Sequence, residues 1–503
     1  MKQYLLGIDI GTSACKIAIF DADGNVLASG NGDYNVYYPQ LGWAEQNPEE
    51  WWAAVCKAIK ETLEKGNIKP TDIAGIGIDG QSWSSIPMGK GGEVLANTPI
   101  WMDTRATEIC EKARLEIGED RIFEVGGNAF MPSYTMPKVM WFKEYMPDVY
   151  NHTYKILQSN SYIAYKLTGN MTQDLTQGYG WQCFNMRKGE WDLDLCRDLG
   201  VDTGMLPDIY KCHDVVGTVT EKAAAECGLI SGIPVVAGAL DAACGTLGAG
   251  VVHDGETQEQ GGQAGGMSIC MDEYKADKRL ILSFHATSNQ WILQGGTVGG
   301  GGVMRWLEKE FADYERVKGK EVGKSSLVLF NEIAEKVAPG SDGLVFLPYM
   351  SGERTPIWDP KAKGVFYGLD FSKTKGHFVR ATMEGVALSL RHNLEVAAEA
   401  GAHVGELRAM GGSANSLLWT QIKSDVTGKK IVVPSSDTAT SLGAVMLAGV
   451  GIGMYKNFEE AADKTVVLKR EHTPNAANKE AYDRNYETYL KIYENLKDTM
   501  HGK

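Results

Sequence analysis

The sequence predicts an α/β fold built as two large units, and three observations carry that expectation. Short apolar, strand-like runs alternate with helical segments along the chain. A glycine-rich turn beside an apolar strand appears near the start and again at Gly261–Met271. The 503 residues exceed what one hydrophobic core serves.

The elements follow in order. Residues 4–31 read as three strands joined by tight turns, the first ending on Asp9, turning through Gly11-Thr12-Ser13 and resuming to Phe20. Backbone N–H groups on such a tip approach phosphate oxygens closely, and a carboxylate there faces a phosphate-bound cation. An Asp before Gly also serves as a plain turn residue. Glu49–Lys65 reads as a helix with Pro48 at its start and Gly66 just after it. Strands are expected at Ile73–Ile78 and Ile100–Met102, and helices at Asp103–Glu119 and Pro132–Tyr145. The apolar run Ile233–Leu240 ends on a second carboxylate, Asp241, and Ala242–Ala249 continues as a small-residue helix. An Asp there also fits a helix cap.

The expected boundary lies just after Gly245, dividing the chain into 1–246 and 247–503. A hairpin opening each half would make the chain a distant internal duplication. In the second half, Gly299–Gly302 precedes a helix at Val303–Tyr314 and reads either as a phosphate loop or as a flexible loop. A helix follows at Phe378–Ala400, then a strand, Leu407–Met410, leading into Gly411-Gly412-Ser413-Ala414-Asn415. The last helix, Lys479–Lys497, spaces Tyr482, Tyr486, Tyr489 and Tyr493 as a packing stripe.

Composition narrows the function. A net charge of −14 argues against a nucleic-acid partner or an anionic membrane surface. No run approaches the roughly 20 apolar residues that span a bilayer, and the start lacks a basic region and cleavage site, so a cytoplasmic location is expected. The nine cysteines are scattered without a C-x-x-C pair, which predicts reduced, buried thiols rather than disulfides or a zinc site.

Longer motifs carry a family resemblance. Gly364-Val-Phe-Tyr-Gly-Leu369, seven residues, then His377-Phe-Val-Arg-Ala-Thr-Met-Glu384 satisfies the fixed positions of one signature. Pro348–Pro356 and Trp358-Asp-Pro360 precede it. A second signature is met by Ser133, Thr135, Lys138, Trp141 and Glu144, with Tyr145 where a polar residue is usual. On these residues the chain resembles the FGGY family of carbohydrate kinases, in the style of its xylulokinases.

The resemblance implies two actin-like (RNase H-like) ATPase lobes with an active-site cleft between them. It implies transfer of the γ-phosphoryl of ATP to a sugar hydroxyl, Mg²⁺ as cofactor, and a homodimer. Asp241 becomes the expected catalytic base, and Asp9 the Mg²⁺ partner through water. Gly11, Thr12 and Ser13 would cradle phosphates, with Lys16 adding charge or standing as a plain strand residue. Gly262-Gln263-Ala264-Gly265 replaces the family's Gly-Thr-Ser-Gly, so Gly262 and the Gln263 amide would make contacts that hydroxyls usually make. Gly299 and Gly302 are further phosphate candidates. Gly411, Gly412 and Asn415 would meet the adenosine part, and Asp437–Ala444 resembles the start of the adenine-side helix.

For the sugar, the resemblance points to Gln81, Trp83, Asp103 and Asp241. Trp83 stands where xylulokinases carry His, and Ala242 where they often carry Asn. Arg105 fits either the sugar pocket or a salt bridge to Asp103. The expected acceptor is a ketopentose such as xylulose, with ribulose, erythritol, glycerol or gluconate types as alternatives. An actin- or chaperone-like ATPase binding module would share the phosphate hairpins but would give Gln81, Asp103 and Asp241 no common purpose. A third alternative is an inactive relative serving as a regulator, against which intact Asp9 and Asp241 weigh.

Overall fold

The motif Gly-x-Asp occurs on two neighbouring strands, and it organises the first unit. The structure is a computed structural model, and it describes residues 3–435 and 438–503. Strands β1 (Tyr4–Ile10), β2 (Ala14–Phe20) and β3 (Val26–Asp33) form an antiparallel meander. Helix α1 (Pro48–Gly66) follows; Asn47 caps it by accepting from the Glu49 N–H, and it buries Trp51, Val55 and Ile59. The chain then returns as β4 (Ile73–Gly80), parallel to β1, with Gly7 beside Gly77 and Asp9 beside Asp79. Side chains alternate along a strand, so Gly7 and Asp9 share a sheet face with Gly77 and Asp79.

Helix α2 (Thr135–Tyr145) lies between β4 and the remaining strands β5 (Val215–Thr218), β6 (Pro234–Val236) and β7 (Ala239–Leu240). The sheet order is β5-β6-β4-β1-β2-β3, and β7 also pairs with β4. Helix α3 (Asp241–Gly248) starts directly from β7.

Some boundaries differ from the sequence reading. The run Ile233–Leu240 is broken at Gly238, whose φ of +79° turns the chain where a Cβ would stand 2.2 Å from the Ile78 carbonyl oxygen. The strand expected at Ile100–Met102 lies at Thr98–Pro99, because Trp101 and Met102 form a turn. The helix expected from Asp103 begins at Thr107, since Asp103 is committed to side-chain partners described below.

In the second unit, β8 (Thr257–Gly261) and β9 (Gly265–Met271) form a hairpin, joined by β10 (Trp291–Thr297). Helices α4 (Gly301–Phe311) and α5 (Lys375–Glu399) precede β11 (Leu407–Met410), α6 (Leu417–Thr427) and β12 (Ile431–Pro434). After α7 (Ala439–Gly451) come β13 (Leu468–His472) and α8 (Lys479–Met500). The order β10-β9-β8-β11-β12-β13 repeats the first sheet's plan: an antiparallel hairpin, then a parallel strand beside its first member, then another parallel strand, then an antiparallel edge. The two hairpins seen in the sequence thus occupy equivalent places in two like sheets.

The two units are not successive halves of the chain. The first comprises Met1–Val252, Asp272–Ile292 and Thr438–Val467; the second comprises His253–Met271, Leu293–Asp437 and Leu468–Lys503. Residue 246 lies inside α3. Asp437, the first residue of the expected adenine-side segment, lies outside the described residues, and α7 belongs to the first unit.

Within the second unit, the signature residues Arg380 and Glu384 bind α5 to its surroundings. Glu384 is buried and accepts from Arg380 Nε (2.8 Å), Ser341 Oγ (2.7 Å), the Gly340 N–H (3.0 Å) and Tyr482 Oη (3.1 Å) on α8. Tyr482, Tyr486, Tyr489 and Tyr493 are buried, as a packing stripe requires. All nine cysteines are buried, and none is in a disulfide. Among the described residues, no helix is long and apolar enough to cross a membrane.

Helix α7 packs on α3 and β4 through glycines. A Cβ on Gly443 would stand 1.9 Å from the Cys244 carbonyl oxygen, one on Gly248 1.8 Å from that of Ala439, and one on Gly77 1.8 Å from that of Ala444. These are backbone atoms, which cannot swing aside as a side chain does. Gly443→Ala is therefore expected to cost about 3 kcal/mol or more of stability, read by urea unfolding. A loss below about 1 kcal/mol would show that the helices separate at little cost.

Candidate functional site

In the first unit, three parallel strands end on or beside carboxylates. Asp9 closes β1, Asp79 lies beside it on β4, and Asp241 follows β7, whose Ala239 is the register partner of Asp79. Asp79 is 0% exposed. Its carboxyl is within hydrogen-bonding reach of the Asp9 carboxyl, and neither of its oxygens meets any other donor. Two carboxylates cannot bond each other without a proton or a cation between them. Burial, then the charges of Asp9 and Asp241, pushes the Asp79 carboxyl well above the usual range. Burial raises Asp9 too, opposed by Lys16, whose Nζ lies 3.8 Å from the carboxylate on the neighbouring strand.

Asp241 is the first residue of α3 and is partly exposed. Its Oδ1 accepts from the Ala242 N–H at 2.6 Å. Burial and the Asp9 charge raise its carboxyl to about 7. That combination keeps a carboxyl poised to exchange a proton near neutrality.

The hairpin tip beside Asp9 is held from three sides. Tyr34 Oη donates to the Gly11 carbonyl (2.6 Å), Gln46 Nε2 to the Thr12 carbonyl (2.8 Å), and Trp101 Nε1 to Thr12 Oγ1 (3.0 Å). The Ser13 carbonyl accepts from the Tyr34 N–H at 3.2 Å. Gln81 joins this chain by donating from Nε2 to Gln46 Oε1 (2.7 Å), while its own Oε1 lacks a partner.

Trp83 stands in a strained turn with φ of +58°. Its ring centroid lies 4.5 Å from that of Tyr134 and 5.6 Å from that of Tyr179. Tyr179 also feels the Asp241 charge, which ties this aromatic group to the carboxylate. The signature residue Lys138, fully buried, holds the turn by donating to the carbonyls of Trp83 (3.0 Å) and Ile100 (2.7 Å). Burial lowers its ammonium to about 7.

Asp103 is fully buried and committed. Its oxygens accept from the Ala44 N–H (2.7 Å), the Arg105 N–H (3.0 Å), and Arg105 Nε (2.9 Å) and Nη2 (2.8 Å). Arg105 also pairs with Glu45 at 2.7 Å and stacks 3.9 Å from the Trp43 ring centroid. Of the two readings of Arg105, the structure has the salt bridge.

The second unit holds a cavity of about 320 Å³. Met304, Leu327, Val328, Met383 and Trp419 give it an apolar wall; Gly262, Gln263, Gly412, Ser413 and Asn415 give it backbone and polar edges. Gly411 has φ of +81° and turns the chain against Gly261. Beneath that turn, Lys423 is spent on Glu259 and Ser413 Oγ, each at 2.7 Å. The Gly299–Gly302 run is used for packing. The Gly301 and Gly302 N–H groups donate to the carbonyls of Gly262 (2.8 Å) and Gln263 (2.9 Å), and a Cβ on Gly299 would stand 2.6 Å from the Pro348 carbonyl oxygen.

Sequence reading brought out Asp9, Gln81, Trp83 and Asp241 but missed Asp79, Tyr134 and Tyr179. For Asp79 a signal was present: Gly77-x-Asp79 repeats Gly7-x-Asp9 on a second apolar strand. Among the described residues, no three His, Cys, Asp or Glu side chains converge as direct metal ligands. The donorless Asp9–Asp79 pair nevertheless fits a hydrated cation, which would supply the positive charge that the pair lacks.

Residues 4–248 match the model of the N-terminal domain of the FGGY family of carbohydrate kinases, and residues 271–452 match that of its C-terminal domain. A xylulose kinase of Bacillus subtilis is 30% identical over 498 residues, covering 99% of this chain and 98% of that protein. A gluconokinase of Bacillus licheniformis is 28% identical, covering 100% and 97%. The crystal structure of xylulose kinase from Rhodospirillum rubrum superposes with a TM-score of 0.90 at 27% identity, covering 99% of this chain and 100% of that one.

A carboxyl raised by burial binds its proton more tightly in the folded state, so its cost to stability grows as pH rises above the unfolded value near 4. Asp79→Asn replaces that group with an amide able to donate to Asp9. The variant should be more stable than the native chain by on the order of 1–3 kcal/mol at pH 8 and by less at pH 5, measured by thermal unfolding. A gain that shrinks as pH rises would contradict the assignment.

Proposed function

The chain belongs to the FGGY family of carbohydrate kinases, phosphotransferases with an alcohol group as acceptor, and we propose that its acceptor is a neutral ketopentose such as xylulose, phosphorylated by ATP with Mg²⁺. One observation carries the choice of a neutral acceptor. The basic groups near the first unit's site have partners: Lys16 lies 3.8 Å from Asp9, Arg105 pairs with Asp103 and Glu45, and buried Lys138, its ammonium lowered to about 7, donates to two backbone carbonyls. Asp9 and Asp241 make the field there negative when ionised, and Asp79 adds no positive charge. A sugar carboxylate would enter without a counter-ion and against that field. This favours the acceptor of the xylulose kinase relatives over that of the gluconokinase relative.

The chemistry asks for positioning and charge control rather than covalent catalysis. Asp241 takes the proton of the acceptor hydroxyl. Bound Mg²⁺ would supply positive charge across the transferring phosphates, and Asp9, backed by Asp79, would hold it through water. Gly11, Thr12 and Ser13 present the hairpin tip to phosphate oxygens. Trp83 offers a ring face to sugar C–H groups, and Gln81 offers its unpartnered carbonyl. Asp103 serves by holding Arg105 and the 42–45 segment in place rather than by touching the sugar. The second unit takes the nucleotide, with the apolar wall for the base and Gly262, Gln263, Gly411, Gly412 and Asn415 at its polar edge.

An ADP-release assay coupled to a sugar panel tests the acceptor. A ketopentose should exceed gluconate by about 10² or more in kcat/KM, as expected where a buried charge goes unpaired; gluconate leading the panel would overturn the proposal. Asp241→Asn should keep the fold and lose roughly 10²-fold or more in turnover. Because a base works only when ionised, kcat/KM for the sugar should fall about tenfold per unit as pH drops below about 7 and level off above it. A profile flat from pH 5 to 8 would remove Asp241 from the role.

A further inference from the structure

The nucleotide cavity of the second unit has a single charged side chain among its lining residues, Arg305. Three features isolate it. The helix N-terminus nearest the Gly262–Gly265 turn has spent its first amides, because the Gly301 and Gly302 N–H groups already serve the Gly262 and Gln263 carbonyls. The turn itself carries Gln263-Ala264 and so offers a phosphate neither a hydroxyl nor a charge. One helical turn after Gly302, Arg305 Nη2 donates to Gln263 Oε1, a neutral partner. The other candidate cation, Lys423, is buried on Glu259, and the nearest helix carboxylate, Glu308, is taken by Ser326 and Arg316.

A guanidinium in a chain of net charge −14 normally finds a carboxylate. Here it borders a cavity and rests on an amide oxygen, with most of its donors still available. We infer that Arg305 is a phosphate-binding residue that grips the polyphosphate of the nucleotide and takes over the charge and donors missing from the Gln263-Ala264 turn. Gln263 aims the guanidinium by accepting from it. The planar fork suits two phosphate oxygens at once, which a lysine does not match. The inference rests on the reading of this cavity as the nucleotide site.

Separating phosphate contact from base contact tests it. Binding of ADP and of adenosine to the full-length chain is measured by titration calorimetry for the native protein, Arg305→Gln and Arg305→Lys, with thermal unfolding as a check on folding. ADP affinity should fall at least tenfold in Arg305→Gln and less in Arg305→Lys, while adenosine affinity stays within twofold. Unchanged ADP affinity, or an equal loss for adenosine, would overturn the role of Arg305 and leave the kinase reading standing. A native chain that binds neither ligand would remove the nucleotide reading and this inference with it.

Discussion

The contact on which the first unit depends is backbone against backbone. Helices α3 and α7 and strand β4 meet where glycines leave no side chain between them, closer than any alanine allows. The closeness places α7 directly on the bare face of the sheet formed by Gly7 and Gly77, with α3 pressed against α7. The same face carries Asp9 and Asp79 two residues further along each strand. Packing and chemistry are therefore one arrangement: the glycines seat α7 on the sheet and α3 on α7, and α3 begins with Asp241. A looser helix pair would shift the carboxylate at its end, and positions that matter to phosphoryl transfer tolerate little displacement.

The cluster that results is poor for stability. Asp79 is buried without a donor, and three carboxyl groups share one exposed lysine. Such groups persist where a ligand needs them, and their cost is borne by the surrounding core of apolar β-strands and α1. Glu384 and Asp103, by contrast, are buried with donors on both carboxylate oxygens. What sets Asp79 apart is that neither of its oxygens has a donor.

Much of this was legible in the sequence because local chemistry and fold agree there. The Asp9 hairpin, the glycine-rich turn at Gly261–Gly265 and the tyrosine stripe of α8 each follow from residue type and spacing. Asp79 escaped notice because an apolar strand carrying one acid reads as a strand that ends early. Only the register with β1 puts that acid beside another. The Gly299–Gly302 run read as a phosphate loop or a flexible loop since glycine clusters leave amides free; in the fold the Gly301 and Gly302 amides are already taken. Asp103 and Arg105 were adjacent on paper, but the Trp43 and Glu45 side chains that complete their cage come from a distant segment. Such long-range partners leave no trace in local spacing.

Helix α7 comes from residues 439–451, yet it covers strands that begin at residue 4. During synthesis the early sheet must wait, with its glycine face uncovered, until the ribosome has made nine-tenths of the polypeptide. Vectorial folding from the N-terminus is closed to such a topology, and the nascent chain stays exposed to aggregation and in need of chaperones for that interval.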